Sequence, residues 1–167
     1  DEPGDAAPVY APWLKEDSPL VQSEAWKKMR EVNILEPKDE AAKKIVDDAL
    51  EAAKADLDIL AAASRKKDCK LWGPVFQLDK DIIFYAHPLP YYLNLIYAAK
   101  LLVVQSRRLD QAGDEAAAQE RLLAVGRIGG HMEQEPILVG FMIATAIKHI
   151  PAKEMAAFHD RHGRKDL

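Results

Sequence analysis

Apolar residues return every three or four positions along much of the chain, which is the spacing of one face of an α-helix. The pattern is clearest over residues 37–66, where lysine, aspartate and glutamate fill the opposite side. The apolar positions there are Ala42, Ile45, Ala49, Ala53, Leu57 and Leu60. Residues 37–66 are therefore predicted to form a long amphipathic helix, with alanines that favour close packing against a neighbour.

The helical pattern extends over most of the sequence. Helices are predicted at residues 18–32, 37–66, 90–112, 115–133 and 136–150, and Pro151 starts or kinks a last one that ends near Gly163. The helix at 90–112 is apolar almost all round, which is typical of a helix in the middle of a bundle. We therefore expect an all-α domain of five or six helices, partly stacked as antiparallel helical hairpins.

Two stretches break this pattern. Residues 1–17 contain three prolines and no helical period, so they are predicted to form an extended arm that lies on the domain. Residues 67–90 form a long connection punctuated by glycine and proline, and connections of this length are often functional. The expected organisation is an N-terminal arm over 1–17, a single helical domain over 18–163 and a frayed tail over 164–167.

Composition narrows the class of protein. The 167 residues are 49% hydrophobic and 30% charged, a balance typical of a folded globular domain. The net charge is −4 and no basic stretch is long enough for a nucleic-acid footprint, so nucleic-acid binding is not expected. The apolar run from Ile137 to Ile147 is too short to be a transmembrane segment, and the single cysteine, Cys69, excludes an internal disulfide.

The first residue is Asp1 rather than methionine, and an acidic, proline-rich stretch follows it. Such a start is typical of a chain from which a signal peptide or an expression tag has been removed. We expect an exported protein of the periplasm or cell envelope, with the cytoplasm as the alternative.

The segment from about Leu102 to Val125 carries the packing positions of a helical-hairpin repeat. Gly113 and Asp114 supply its turn. The small and apolar positions around the turn are Ser106, Ala118, Leu122 and Val125. This segment resembles one tetratricopeptide-type hairpin, but no second copy lies about 34 residues away, as an array requires. The resemblance therefore implies a single hairpin and not a solenoid.

A broader pattern covers about residues 37–160. A long alanine-rich helix, a cysteine-containing connection and an apolar helix precede the motif His131-x-x-Gln134-x-Pro136, which leads into another apolar helix. In this order of elements the chain resembles an uncharacterised family of exported bacterial helical proteins. The resemblance implies a helical fold and no particular activity, ligand or cofactor.

Candidate chemistry begins with His131, Glu133 and Glu135. His131 and Glu135 are four apart, so a continuous helix would place them on one face, where they could share a metal or supply a general base. Two glycines before the group and Pro136 after it place it at a helix end instead. There the His131 ring would bond the last helical carbonyls, which is a structural role. Both interpretations stay open, and no metal site is assigned.

Aromatic residues gather in and just after the long connection. The candidate binding residues among them are Tyr85, His87, Tyr91 and Tyr92, since tyrosine joins an apolar ring to a polar tip. Tyr91 and Tyr92 are adjacent and point about 100° apart on a helix, so both cannot face one core. These rings either fill the gap between the connection and the bundle or line a groove for a ligand or peptide.

A histidine pair lies near the end of the chain. His159 and His162 are three apart on the predicted last helix, a spacing that can hold zinc or nickel when a third ligand is present. The segment is terminal and polar, which favours an exposed pair without a dedicated metal.

Known catalytic motifs are missing from the sequence, which has no glycine-rich phosphate loop, no Gly-x-Ser-x-Gly elbow and no His-Glu-x-x-His. Their absence argues against an enzyme, and no catalytic residue or cofactor is assigned. The leading hypothesis is a non-catalytic interaction module for a protein or peptide partner. One alternative is a small-molecule or metal-binding protein, or an enzyme, built on the His131 group. The other is an oligomeric structural protein with Ile137 to Ile147 buried between subunits.

Overall fold

The computed structural model describes residues 2–15, 18–71, 89–134 and 138–163, and only the backbone of residues 89–91 and 138–139. Its helices are α1 (Ala7–Tyr10), α2 (Pro19–Gln22), α3 (Glu24–Met29), α4 (Glu40–Ala63), α5 (Leu89–Gln111), α6 (Glu115–Met132) and α7 (Leu138–Arg161), with a 3-10 turn at Ala11–Leu14. The strands β1 (Glu2–Asp5) and β2 (Lys66–Asp68) pair in parallel. The expected all-α class is confirmed.

The long helices α4 to α7 form a bundle with α5 at its centre. α5 packs against α4, α6 and α7, and α6 packs against α7 along its length. The fully buried side chains of α5 follow one another closely: Tyr92, Leu95, Ala98, Ala99, Leu101 and Leu102. A helix that is apolar almost all round is stable in such a position because most of its surface contacts other helices.

The α5–α6 hairpin has the turn that the sequence predicts. Gly113 adopts a φ of +85°, a conformation that glycine takes at little cost after the end of a helix. Asp114 caps α6, since its carboxylate accepts the backbone N–H of Ala117 at 3.1 Å. The buried Ser106 hydroxyl donates to the Ala118 carbonyl at 2.8 Å, so the small residue predicted at this position joins the two helices directly.

The amphipathic pattern of α4 is also confirmed. Asp39 caps the helix by accepting the backbone N–H of Ala42 at 2.8 Å. The predicted inward positions Ala49, Ala53, Leu57 and Leu60 are all buried. The helix ends at Ala63 rather than at residue 66, because the residues that follow enter β2 and pair with β1.

The single helix predicted over residues 18–32 is instead two short helices, α2 and α3. They separate at Ser23, which takes an extended conformation with a ψ of 144°. The Ser23 hydroxyl accepts the backbone N–H of Trp26 at 3.2 Å and so caps α3. Serine interrupts a helix readily because its hydroxyl offers the backbone an alternative hydrogen bond.

The extended arm predicted over residues 1–17 is wrong in its conformation, since β1, α1 and the 3-10 turn occupy most of it. Pro8 and Pro12 lie in the first turns of helical segments, where a missing N–H costs nothing. The prolines therefore begin helical turns there instead of preventing them. Tyr10, Trp13 and Leu14 are at most 2% exposed, so this segment belongs to the core.

The two helices predicted on either side of Pro151 are one continuous helix, α7. An interior proline removes one helical hydrogen bond and costs about 3 kcal/mol. The extensive packing of α7 along α6 offsets this cost. The Cβ of a residue at Gly129 would lie only 2.6 Å from the Lys148 Cγ, which shows how closely the two helices approach. The predicted frayed tail, 164–167, lies outside the described residues.

Candidate functional site

The end of α6 binds the backbone of β2 through two side chains, His131 and Gln134, which we call the α6 clamp. The Nε2 atom of His131 lies 2.6 Å from the Lys66 carbonyl oxygen. The Gln134 amide donates to the Lys67 carbonyl at 3.1 Å and accepts the Cys69 N–H at 2.9 Å. The clamp thus bonds the backbone of β2 and of Cys69 much as a neighbouring strand would, with His131 in the last turn of α6 and Gln134 two residues beyond its end.

The hydrogen bonds fix the protonation of the His131 ring. A carbonyl oxygen only accepts, so Nε2 carries the proton and donates to Lys66. The other ring nitrogen, Nδ1, lies 2.7 Å from the Tyr10 hydroxyl in a buried contact. In the neutral ring Nδ1 is an acceptor, so the Tyr10 hydroxyl donates to it.

Burial keeps both partners of this contact neutral. It lowers the pKa of His131, and the Lys66 carbonyl, Asp5 and Asp68 only partly oppose that effect. Burial also raises the pKa of the Tyr10 hydroxyl far above its ordinary value, with Cys69 acting in the same direction. Because both nitrogens of a neutral His131 are occupied, the ring is neither a free base nor a free metal ligand. Its role is to join α6, β2 and the N-terminal segment.

His131 and Glu133, the two described members of the predicted group, point in different directions. His131 points into the core, whereas the Glu133 side chain is 40% exposed and pairs with the Lys148 ammonium group at 2.5 Å. Glu135 lies outside the described residues. The sequence predicted that His131 would bond the last carbonyls of its own helix, but the carbonyl that it bonds belongs to Lys66 in β2.

The aromatic candidates are divided between the core and the undescribed part of the chain. The Tyr92 side chain is fully buried, so it fills the core and does not line a surface groove. Tyr85, His87 and the side chain of Tyr91 lie outside the described residues. The groove predicted in this region stays a prediction.

Near the end of α7, one histidine of the predicted pair, His162, contacts two carboxylates of the bundle. His162 lies 2.6 Å from an Asp110 oxygen and 3.0 Å from a Glu115 oxygen, and its side chain is only 19% exposed, so the expected exposed position is wrong for this residue. The aspartate also pairs with Arg161. Across the described ranges, no group of three or more His, Cys, Asp or Glu residues is placed to hold a metal ion.

A different surface, the outer face of α7, has the features of a binding site. We define it by exposed residues that share one side of the helix: Phe141, Met142, Thr145, Ala146, His149, Ala152 and Ala156. Phe141 is 58% exposed and Met142 is 61% exposed. The sequence signal for this face is the apolar run Ile137 to Ile147. A helix with one buried face needs apolar residues only every three or four positions, so a continuous run leaves some of them exposed.

The two polar side chains of this face turn their hydrogen bonds inward. The Thr145 hydroxyl donates to the Phe141 carbonyl at 2.9 Å. The His149 Nδ1 lies 2.8 Å from the Thr145 carbonyl, which can only accept, so this nitrogen carries a proton. Both donors are satisfied by the backbone of α7 itself. The face therefore offers fewer hydrogen-bond donors to solvent than its sequence indicates.

The contrast with α4 shows that this face is unusual within the molecule. The exposed charged residues of α4 are Glu40, Lys43, Lys44, Asp47, Asp48, Glu51, Lys54 and Asp56. Among the described exposed positions of α7 before residue 157, only Lys148 and Lys153 carry a formal charge. Depletion of charge with enrichment of aromatic residues and methionine is the composition of a protein–protein interface core.

A shallow groove of about 410 Å³ continues this face toward α6. Its apolar wall includes Leu123, which is 40% exposed, and Met155. Gly126 opens the groove, since a Cβ there would meet no other atom within 4 Å. Lys148 and Arg127 lie at its polar edge, where Lys148 pairs with Glu133 and Arg127 pairs with Glu120.

Comparison of the chain with protein-family models, with curated proteins and with solved structures finds no match. The resemblances to a tetratricopeptide hairpin and to exported bacterial helical proteins therefore stay predictions. Within the described part of the chain, no helix combines the length and the apolar character needed to cross a bilayer.

Proposed function

We propose that this chain is a non-catalytic helical interaction module that binds a helix of a protein partner on the outer face of α7. The observation that carries the proposal is the composition of that face, where Phe141 and Met142 are more than half exposed on a long helix. A soluble helix with one free side normally carries charged residues there, as α4 does. An exposed apolar surface rimmed by polar residues is typical of a protein-binding site.

The chemistry of the rim indicates the kind of helix that fits. Lys148 lies at one edge of the outer face of α7, and Lys153 lies on the same side of the helix as Met142 and Ala146. The Lys148 ammonium group is paired with Glu133, whereas the Lys153 side chain is 93% exposed and lies 3.7 Å from an exposed glutamate, Glu36. A partner helix with an apolar seam flanked by aspartate or glutamate would complement these lysines.

The alternative built on His131, Glu133 and Glu135 receives no comparable support. His131 has both ring nitrogens engaged by Tyr10 and Lys66. Glu133 points to the surface and binds Lys148. A ligand or metal site would require these side chains to converge.

A pair of synthetic helices tests the proposal. One peptide carries leucines at three- and four-residue spacing flanked by glutamates, and its twin has lysines in place of the glutamates. We expect the first peptide to shift the amide NMR signals of residues 141–156 and of Leu123, and the lysine twin to shift them several-fold less. The variant Met142→Glu should weaken the response at least tenfold, because it places a carboxylate beside Phe141, at the end of the face where the large apolar residues lie.

The matched control is Leu93→Lys, which makes the same kind of change at an exposed apolar residue of α5. This variant should bind the peptide as the unmodified chain does. The proposal is wrong if neither peptide shifts the α7 signals, or if both peptides shift signals over all exposed helices alike.

A further inference from the structure

The described surface offers one element that matches the outer face of α7 in shape and charge, and it belongs to this chain. Ile59 on α4 is 55% exposed. Together with three exposed alanines at three- and four-residue spacing, it forms a row along one side of the helix: Ala52, Ala55, Ile59 and Ala62. We call this row the α4 seam. Its spacing is that of a helix packed against a second helix.

The charges beside the α4 seam have the sign that the outer face of α7 requires. Glu51 and Asp56 are exposed along the seam, while Lys54 points to another side of the helix. Asp48 lies one turn before the seam and is paired with Lys44 at 3.1 Å. The lysines at the outer face of α7 are Lys148 and Lys153. An α4 seam laid on the outer face of α7 therefore brings acidic residues toward basic ones.

The side-chain sizes are also complementary. The outer face of α7 has its large residues, Phe141 and Met142, at one end and Ala152 and Ala156 at the other. The α4 seam has alanines around a single large residue, Ile59. Alanine on one helix opposite a larger apolar residue on the other lets helix axes approach to about 8 Å. The seam from Ala52 to Ala62 spans about 15 Å, which fits within the α7 face.

Resting on the proposed function, we infer that the partner helix is α4 of a second copy of this chain, so that copies join head to tail through α4 and α7. Pairing α7 with α7 would bring lysines toward lysines, and pairing α4 with α4 would bring carboxylates together. Both α5 and α6 contact α4 and α7 and so separate those two helices. One copy can then use both surfaces at once, and such a heterologous contact builds an open chain or a ring.

Two single variants and their mixture test the inference on the full chain. Ile59→Lys blocks the α4 seam and leaves α7 intact, whereas Met142→Glu blocks α7 and leaves the α4 seam intact. By sedimentation velocity from about 10 µM to 1 mM, a range suited to a contact smaller than a standard interface, we expect the unmodified chain to gain mass with concentration. Each variant alone should stay a monomer. Their equimolar mixture should reach about twice the monomer mass and grow no further, because only one contact can form.

Leu93→Lys is the matched control and should assemble as the unmodified chain does. A mixture that stays monomeric overturns the inference, as does an Ile59→Lys variant that dimerises through α7 alone. An unmodified chain that stays a monomer at every concentration also overturns it. In that case the response of α7 to the glutamate-flanked peptide decides the proposed function separately: binding keeps the interaction module with a different partner, and no binding ends both.

Discussion

At the scale of single residues, His131 joins three distant parts of the chain through one ring. Its nitrogens bond Tyr10 in the N-terminal segment and Lys66 in β2, while its backbone lies in α6. These contacts favour the neutral ring, since burial lowers the pKa of His131. The charge state of this side chain is therefore coupled to the stability of the fold.

We expect the free energy of unfolding to fall as the pH drops below about 6.5, the ordinary value for histidine. The unfolded chain takes up a proton at His131 there, while the folded chain, whose His131 pKa is lower, does not. Protons then favour the unfolded state, so the stability present above that pH is lost with a slope of at most about 1.4 kcal/mol per pH unit. Urea unfolding between pH 8 and 5 measures the slope.

The comparison with His131→Gln isolates this contribution, because the other titrating groups remain. The slope should be shallower in that variant. Parallel curves for the unmodified chain and His131→Gln would contradict the assignment of a neutral, buried ring.

At the scale of elements, the three glycines of α6 differ in how close they lie to α7. A Cβ at Gly129 would lie 2.6 Å from the Lys148 Cγ and 3.3 Å from the Ala144 carbonyl oxygen. The lysine chain can move, but the backbone carbonyl of α7 must shift as well. A Cβ at Gly126 or Gly130 would meet nothing within 4 Å.

We expect Gly126→Ala and Gly130→Ala each to raise the free energy of unfolding by about 0.5–1 kcal/mol, the gain in helix propensity. Gly129→Ala makes the same chemical change and should instead lower it by about 1 kcal/mol or more, since overpacking outweighs propensity. Chemical denaturation of the three variants gives the comparison. A stabilising Gly129→Ala would mean that α6 and α7 are not in such close contact.

The elements that local chemistry determines could be predicted from the sequence. The cap Asp114 and the turn at Gly113 act within a few residues, and the helices on either side of them are confirmed. α4 begins at Glu40, after the cap Asp39, and not at the predicted residue 37. β1 and β2 could not be predicted, because each is only a few residues long and depends on a partner some 60 positions away. The break at Ser23 is a similar case, since serine is compatible with a helix interior and with a cap.

The α6 clamp and the outer face of α7 could also be predicted only in part from the sequence. The motif His131-x-x-Gln134 stood out in the sequence, but its partners in β2 come from the tertiary fold and left its role open. The apolar run of α7 was visible in the sequence as a candidate interface. Which of its residues stay exposed depends on how α6 packs against the helix, and only the fold determines that.

At the scale of the whole molecule, the N-terminal segment closes the core instead of resting on it. Trp13 packs against Trp26 at a ring distance of 5.4 Å, in an edge-on arrangement. The buried Asn94 of α5 donates to the Trp13 carbonyl at 3.0 Å and accepts from the Trp26 indole at 3.2 Å. The N-terminal segment, α3 and α5 thus meet at the buried Asn94 side chain. If one of them detaches, the other two become exposed to solvent.

We expect Trp13→Ala to lower the free energy of unfolding by about 3–5 kcal/mol, the usual cost of emptying a buried indole site. A domain of this size is stable by only about 5–15 kcal/mol, so the variant should lose much of its stability. Phe141→Ala, at a residue that is 58% exposed, is the matched control and should change the value by about 0.5 kcal/mol or less.

The effect should also reach β2, because β1 connects the N-terminal segment to it. The Ala6 amide donates to the Asp68 carbonyl at 2.8 Å, and the Cys69 amide donates to Gln134 in the α6 clamp at 2.9 Å. In Trp13→Ala we expect amide hydrogen exchange to speed up at Ala6, where β1 would detach with the segment. Cys69 should keep more of its protection, since the clamp holds β2 from the other side. Equal acceleration at both amides would show that β1, β2 and the end of α6 open as a single unit.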